Sequence, residues 1–163
     1  PILLYNVPSR TGVDIKPETV AALSKHPNIV AVKEANGNMS SIVRTAALCG
    51  DSLDLYSGND DQIVPLLSLG GQGVISVLSN LMPAQTVEIC NRFFSGDIAG
   101  AAQLQYHYHA LISALFSEVN PIPVKAAMAA MGFCQNTLRL PLTPMDKTKE
   151  AKLLDLMRAE HLI

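Results

Sequence analysis

Asn28-Ile29-Val30-Ala31-Val32-Lys33-Glu34-Ala35 is an apolar run broken by a single lysine, and what stands around it decides the fold. The run is apolar on both faces, as parallel strands covered on both sides tend to be. Runs of the same kind occupy residues 2–7, 53–57 and 73–78. Their starts recur at roughly 20 to 26 residues, about the length of a strand, a loop and a crossover helix. Helical signals fill the gaps. Lys16-Pro17-Glu18-Thr19 opens the first helix, with proline near the start and an acid in the first turn. Its sheet-facing positions read as Val20, Leu23 and Ala22. Ser40 or Ser41 is placed to cap the second, and Asp60-Asp61 to open a third that Gly70-Gly71 ends. After residue 78 the strands cease, and helices are expected over about 84–95, 98–117, 124–131 and 147–160. Asp97 is placed to cap the second of these and Gly132 to end the third. Four βα units are half of a (β/α)8 barrel, which takes about 250 residues. Four parallel strands can also make a small open α/β sheet, and periodicity alone leaves both alternatives standing.

The composition narrows the function classes. The chain has 163 residues, 48% hydrophobic and 16% charged, with a formal net charge of -2. Such a chain offers no basic field for nucleic acid or an anionic membrane. No run approaches the roughly 18 apolar residues of a membrane span. Cys49, Cys90 and Cys134 are scattered and odd in number, with no CxxC pair, so a disulfide framework and a thiolate metal site are both disfavoured. A reducing, cytoplasmic setting is the expectation. The first strand-like run begins at the second residue, so the sequence is expected to continue a longer chain.

Lys33 is the sharpest chemical feature. By alternation it shares a strand face with Ala31 and Ala35, while Val30, Val32 and Glu34 share the other. Burying an ammonium is costly, and a partly neutral amine can attack a carbonyl to form an imine. The plainer alternative is a lysine paired with a carboxylate or reaching solvent at a strand end. Tyr5 holds the matching place in the first run, where a phenol could move protons during imine formation. It could equally be an ordinary core tyrosine. Both residues lie at the carboxyl ends of their strands, the end where barrel active sites form. Arg10, in the loop Ser9-Arg10-Thr11-Gly12, could hold a carboxylate through paired hydrogen bonds, or simply be solvated. Gly58, in Gly58-Asn59-Asp60, lets backbone approach a ligand or makes a turn, with Asp60 as a helix cap. Gly70-Gly71-Gln72-Gly73 precedes a strand, so it is not a dinucleotide loop. His107 and His109 are two apart on a helix and make a poor metal pair. Lys125, in a helix first turn, is a weaker rival to Lys33.

Taken together, these segments resemble one family. Tyr5-Asn6-Val7-Pro8-Ser9-Arg10-Thr11-Gly12 resembles the tyrosine motif of the dihydrodipicolinate synthases, and Val32-Lys33-Glu34-Ala35 their Schiff-base lysine motif. Ser57-Gly58-Asn59-Asp60, residues 70–77, Asn120-Pro121-Ile122-Pro123-Val124-Lys125 and Leu138-Arg139-Leu140-Pro141-Leu142-Thr143-Pro144 are similar to later family segments in the same order. The resemblance spans essentially the whole chain.

It implies the C-terminal half of a TIM (β/α)8 barrel, strands five to eight, over residues 1–83, with barrel-closing and C-terminal helices over 84–163. It implies a lyase that condenses pyruvate with aspartate-semialdehyde, on the route to diaminopimelate and lysine, giving 4-hydroxy-tetrahydrodipicolinate. In that reading Lys33 forms the imine and Tyr5 transfers protons, with no metal and no cofactor. Arg10 guides the semialdehyde carboxylate, and Gly58 and Ile75 lie beside the substrate. Asn59 occupies a position that is acidic in some members. A homo-oligomer is implied as well. The alternative within the enzyme class is an N-acetylneuraminate lyase or another pyruvate aldolase of the same superfamily; the N-acetylneuraminate lyases share much of the pattern but typically lack the arginine. The family's first half supplies a Thr-Thr pair, a tyrosine contributed across the dimer, and most of a lysine feedback site, none of which can be assigned here. The alternative of another class is an inactive scaffold or carboxylate-binding fragment that keeps the fold without turnover.

Overall fold

The computed structural model describes residues 1–163. Four strands, β1 (Ile2–Asn6), β2 (Ile29–Glu34), β3 (Asp54–Ser57) and β4 (Gly73–Val74), form one sheet in strict chain order, every pair parallel. Between them stand α1 (Pro8–Thr11), α2 (Pro17–Leu23), α3 (Met39–Cys49) and α4 (Ile63–Leu67). After β4 come α5 (Pro83–Phe94), α6 (Ile98–Leu115), α7 (Ile122–Ala130) and α8 (Lys147–Ala159). No helix is long and apolar enough to cross a membrane.

The helices of the βα units cover one face of the sheet. Val20 of α2, Ile42 and Cys49 of α3 and Leu66 of α4 pack with Val32, Leu53 and Leu55 in a seven-residue core. The face is legible in the strand alternation, which sends Leu4, Val32 and Leu55 to the same side. Within α2 it is Ala21, rather than Ala22 or Leu23, that joins Val20 on this core. The opposite face carries Leu3, Tyr5, Ala31, Lys33 and Tyr56, and it is open: Leu3 is 41% and Tyr5 38% exposed. Ala31, the smallest side chain on this face, is nonetheless buried at 3% exposure.

A second, larger core of 17 residues runs through α4, the turn 78–82 and α5 to α8, with Leu78, Ile89, Leu115, Leu153 and Met157 fully buried. Asp97 caps α6 as the sequence suggests, its carboxylate accepting from the Gly100 N–H at 2.9 Å. Gly132 follows α7 at φ 80°, the left-handed conformation that ends helices.

Three local expectations are corrected. Residues 8–11 form a single helical turn, not a loop, because the Val7 carbonyl accepts from the N–H groups of Arg10 and Thr11 and Gly12 stops the turn at φ 70°. The cap of α3 is Asn38, whose side-chain oxygen accepts from the Ser41 N–H at 3.2 Å; Ser40 and Ser41 lie inside the helix. The fourth strand ends at Val74 rather than residue 78. Asp60 explains why: its carboxylate takes the N–H groups of Val77 and Leu78 at 3.0 and 2.9 Å, turning them out of the ladder. Asp60 thus caps the 3-10 turn at 78–80 and not its own segment.

Candidate active site

The sheet register places the two chemical residues side by side. Tyr5 pairs with Lys33 across β1 and β2, and Lys33 pairs with Tyr56 across β2 and β3. Lys33 is half-buried, and its Nζ stands 4.1 Å from the centroid of the Tyr5 ring, a cation–π contact. Lys33 is also the one lysine carried by a strand; Lys125 sits half-buried in the first turn of α7.

Gly58 makes room for this amine. Its N–H donates to the Glu34 carbonyl at 2.7 Å, drawing the β3 loop against β2. A Cβ at this position would stand 2.7 Å from the Ala35 Cβ, 3.0 Å from the Lys33 Cε and 3.1 Å from the Glu34 carbonyl oxygen. Any side chain would therefore displace the strand or the lysine stem. The role is close approach, the reason for which glycine is suited to such a site.

A cavity of about 180 Å³ opens over these groups at the carboxyl ends of the strands, with Tyr5, Arg10, Lys33, Gly58 and Asn59 in its wall. Five of the six residues singled out in the sequence thus meet at one place. Ile75 does not line it; it is exposed after β4, its N–H donating to the Ser57 carbonyl at 2.8 Å. The wall is completed by residues that local sequence reading missed, chiefly Val77, Phe116 and Asn120. Phe116 ends α6 and Asn120 precedes α7, so the helical segment reaches over the sheet to the lysine. Asn120 bears a buried side-chain oxygen with no partner. A wider depression of about 560 Å³ shares Ser9, Arg10, Phe116 and Asn120 with the cavity and leads outward past Glu118 and Val119. Arg10 is exposed and stands where the two meet.

Asn59 is tied down by its own loop. Its carbonyl accepts from the Ser57 hydroxyl at 2.8 Å, and its side chain donates to Gln62 at 3.4 Å. Behind the cleft lie two buried carboxyl groups, Glu34 and Asp60, both pushed above the ordinary carboxylate range by burial. A separate cavity of about 170 Å³, between α3 and the helix-covered face of the sheet, is lined by Val32, Cys49 and Leu55 among others and shares no residue with the lysine cleft. His107 pairs with Glu160 and not with His109, and no cluster of three or more His, Cys, Asp or Glu side chains is placed to hold a metal ion.

Fold and rim together define a parallel α/β protein whose lysine-centred cleft lies at the carboxyl ends of its strands. The model of the dihydrodipicolinate synthetase family matches residues 1–160, and the chain belongs to that family. It is similar to the 4-hydroxy-tetrahydrodipicolinate synthase of Alkaliphilus oremlandii, 50% identical over 163 residues, which is all of this chain and 56% of the relative. Among solved structures, the dihydrodipicolinate synthase of Thermotoga maritima superposes with a TM-score of 0.96 at 43% identity, covering 99% of this chain and 56% of that one. The chloride-inhibited dihydrodipicolinate synthase of Acinetobacter baumannii complexed with pyruvate gives a TM-score of 0.95 at 36% identity, covering 100% and 56%. The chain therefore spans a little over half the length of the relatives it matches.

Proposed function

We propose that this chain supplies the imine-forming part of a 4-hydroxy-tetrahydrodipicolinate synthase, condensing pyruvate with aspartate-semialdehyde. The observation that carries this reading is the Lys33 amine over the Tyr5 ring, in a cavity whose floor Gly58 keeps open. The Lys33 amine adds to the pyruvate ketone, and the carbinolamine loses water to leave an imine. Loss of a proton from the adjoining methyl group gives an enamine, whose carbon adds to the aldehyde of the second substrate. The Tyr5 phenol carries protons in these steps. Arg10, where the cleft meets the outer depression, takes the semialdehyde carboxylate. Gly58 and Asn59 border the pyruvate, whereas Ile75, which does not line the cleft, is given no contact with it. The imine itself is the electron sink, so the reaction calls on no metal and no further cofactor.

The four strands are, in this reading, the second half of a (β/α)8 barrel. Their strict order, their single helix-covered face and the open face bearing Lys33 are what half a barrel requires. Residues 1–83 carry the barrel units and 84–163 the closing helices. The division is one of roles, since the larger core crosses it. A cytoplasmic homo-oligomer is the expected working form.

The test is borohydride trapping in the intact enzyme. Reduction in the presence of pyruvate should add one pyruvate-derived mass to the peptide bearing Lys33, and Lys33→Ala should abolish it. Lys33→Arg should abolish it as well, because a guanidinium stays protonated and cannot form the imine. An adduct on Lys125, or one that survives Lys33→Ala, would refute the assignment.

A further inference from the structure

Directly behind the Tyr5–Lys33 rung lies the next rung of the same ladder, Asn6 opposite Glu34. Successive strand residues point to opposite faces, so this second pair turns away from the cleft toward the helices. Both side chains are polar at the end of apolar strands, and both are buried, Asn6 at 0% and Glu34 at 2% exposure. Burial of such groups is tolerable only if they are hydrogen-bonded. The Asn6 amide donates to both Glu34 oxygens at 3.1 and 3.0 Å and to Asp14 at 3.0 Å. Its oxygen accepts from the Ile15 N–H at 3.0 Å, and Glu34 accepts from the Asn36 N–H at 2.8 Å. The Asn6 carbonyl takes the Ala35 N–H at 2.9 Å. The carboxyl ends of β1 and β2 are thereby fastened to each other, and to the loops that follow them, by side chains as well as by the ladder.

We propose that Asn6 and Glu34 are positioning residues for the amine chemistry, a buried amide–carboxylate clasp that sets the lysine stem against the tyrosine ring from the reverse side of the sheet. The inference rests on the reading of Lys33 as the imine-forming lysine. Its physical basis is tolerance: a reacting amine must be held within roughly half an ångström of its productive place, and groups in one strand pair shift together when that pair slides or splays. Apolar packing behind the rim supplies little of this restraint, since Val32 is the one buried residue that β2 gives the sheet core and Ile29, which packs against it, lies at the far end of the strand. The clasp supplies it instead, through hydrogen bonds of defined length and direction.

The test uses the full-length enzyme and reads pyruvate adduct formation per folded molecule, by borohydride trapping over time. Glu34→Asp keeps the charge but is one methylene short, so it cannot span Asn6 and the Asn36 N–H together. It should slow trapping at least ~10-fold, the order expected when a reacting group is misplaced by a fraction of an ångström. Glu34→Gln keeps the length and one acceptor for both donors, and should recover most of the rate. Should Glu34→Asp not fold, Asn6→Ser read in the same assay carries the comparison and should show the same slowing. Trapping by Glu34→Asp or Asn6→Ser at the unsubstituted rate, with only a lowered melting temperature, would overturn the proposal and leave the pair as a stabilising contact. If the unsubstituted enzyme traps no pyruvate, the lysine reading falls and this inference with it.

Discussion

The strand half and the helical half of this chain are built to different standards. Residues of α5 to α8 enclose a 17-residue core in which Leu78, Ile89, Leu115, Leu153 and Met157 are fully buried. The sheet is backed by seven residues on one face and leaves Leu3 and Tyr5 open on the other. Polar groups are distributed the other way. The carboxyl groups whose pKa departs from the ordinary range, Asp14, Glu18, Glu34 and Asp60, all lie in the strand half. The contrast teaches that bulk stability and chemical geometry come from different parts of one chain. Apolar burial holds the helical half together, whereas hydrogen bonds aimed at particular atoms arrange the rim.

That contrast can be broken most directly by truncating one leucine in each half. Leu115→Ala should cost about 2–5 kcal/mol in denaturant unfolding, the range for a large-to-small change in a closed core. Leu3→Ala, on the open face, should cost a small fraction of that in this chain alone, where Leu3 is 41% exposed. In the intact enzyme, where the proposed barrel closes over that face, the two losses should draw together, and a persistent gap there would count against the half-barrel reading. A second comparison sharpens the division from the chemical side. Tyr5→Phe keeps the ring beneath the lysine and removes only the hydroxyl, so stability should hold while turnover falls by roughly 100-fold. Near-normal turnover would make Tyr5 a structural ring.

The smallest effect is expected in the pH dependence of stability. Glu34 and Asp60 are pushed up by burial from ordinary values of 4.5 and 3.8. Over that window the folded chain holds protons that the unfolded chain has released. Their contribution is therefore full below the ordinary values and is lost as pH rises through the folded ones. Asp14 runs in the opposite sense, held below 3.8 chiefly by the Asn6 amide, so its contribution is present above that value and is lost as pH falls. Glu34→Gln should flatten the decline in melting temperature as pH rises above the ordinary value of 4.5. An unchanged slope would mean that this carboxyl does not titrate in the window.

Much of the strand half was legible because its signals are local. The runs at 2–7, 28–35 and 53–57 became strands nearly as bounded, and Lys33, Tyr5, Arg10, Gly58 and Asn59 fell at one rim because every strand of a parallel sheet presents its carboxyl end to the same side. The errors came where a distant group intervened. The run 73–78 reads as a six-residue strand, but the Asp60 carboxylate takes the N–H groups of Val77 and Leu78, and the strand ends at Val74. Phe116 and Asn120 reach the cleft only by tertiary contact across more than eighty residues, which no periodicity records. Asn6 and Glu34 could have been found: two polar residues, each directly following a chemical residue, on the face that alternation assigns to the interior.

The short helix α4 has a consequence for how the chain comes apart. Leu66 belongs to the core behind the sheet, while Ile63 and Leu67, on the same turn and a half of helix, belong to the helical core. Gln105 of α6 bolts this segment in place, accepting from the Val64 N–H at 2.8 Å and donating to the Asp61 carbonyl at 2.5 Å. Neither core can open without stripping buried side chains from a segment that the other still grips. Local openings that span residues 63–67 therefore expose apolar surface on both sides at once. Unequal as the two halves are, α4 makes them partners in a shared cooperative unit, and hydrogen exchange at its backbone would report on both together.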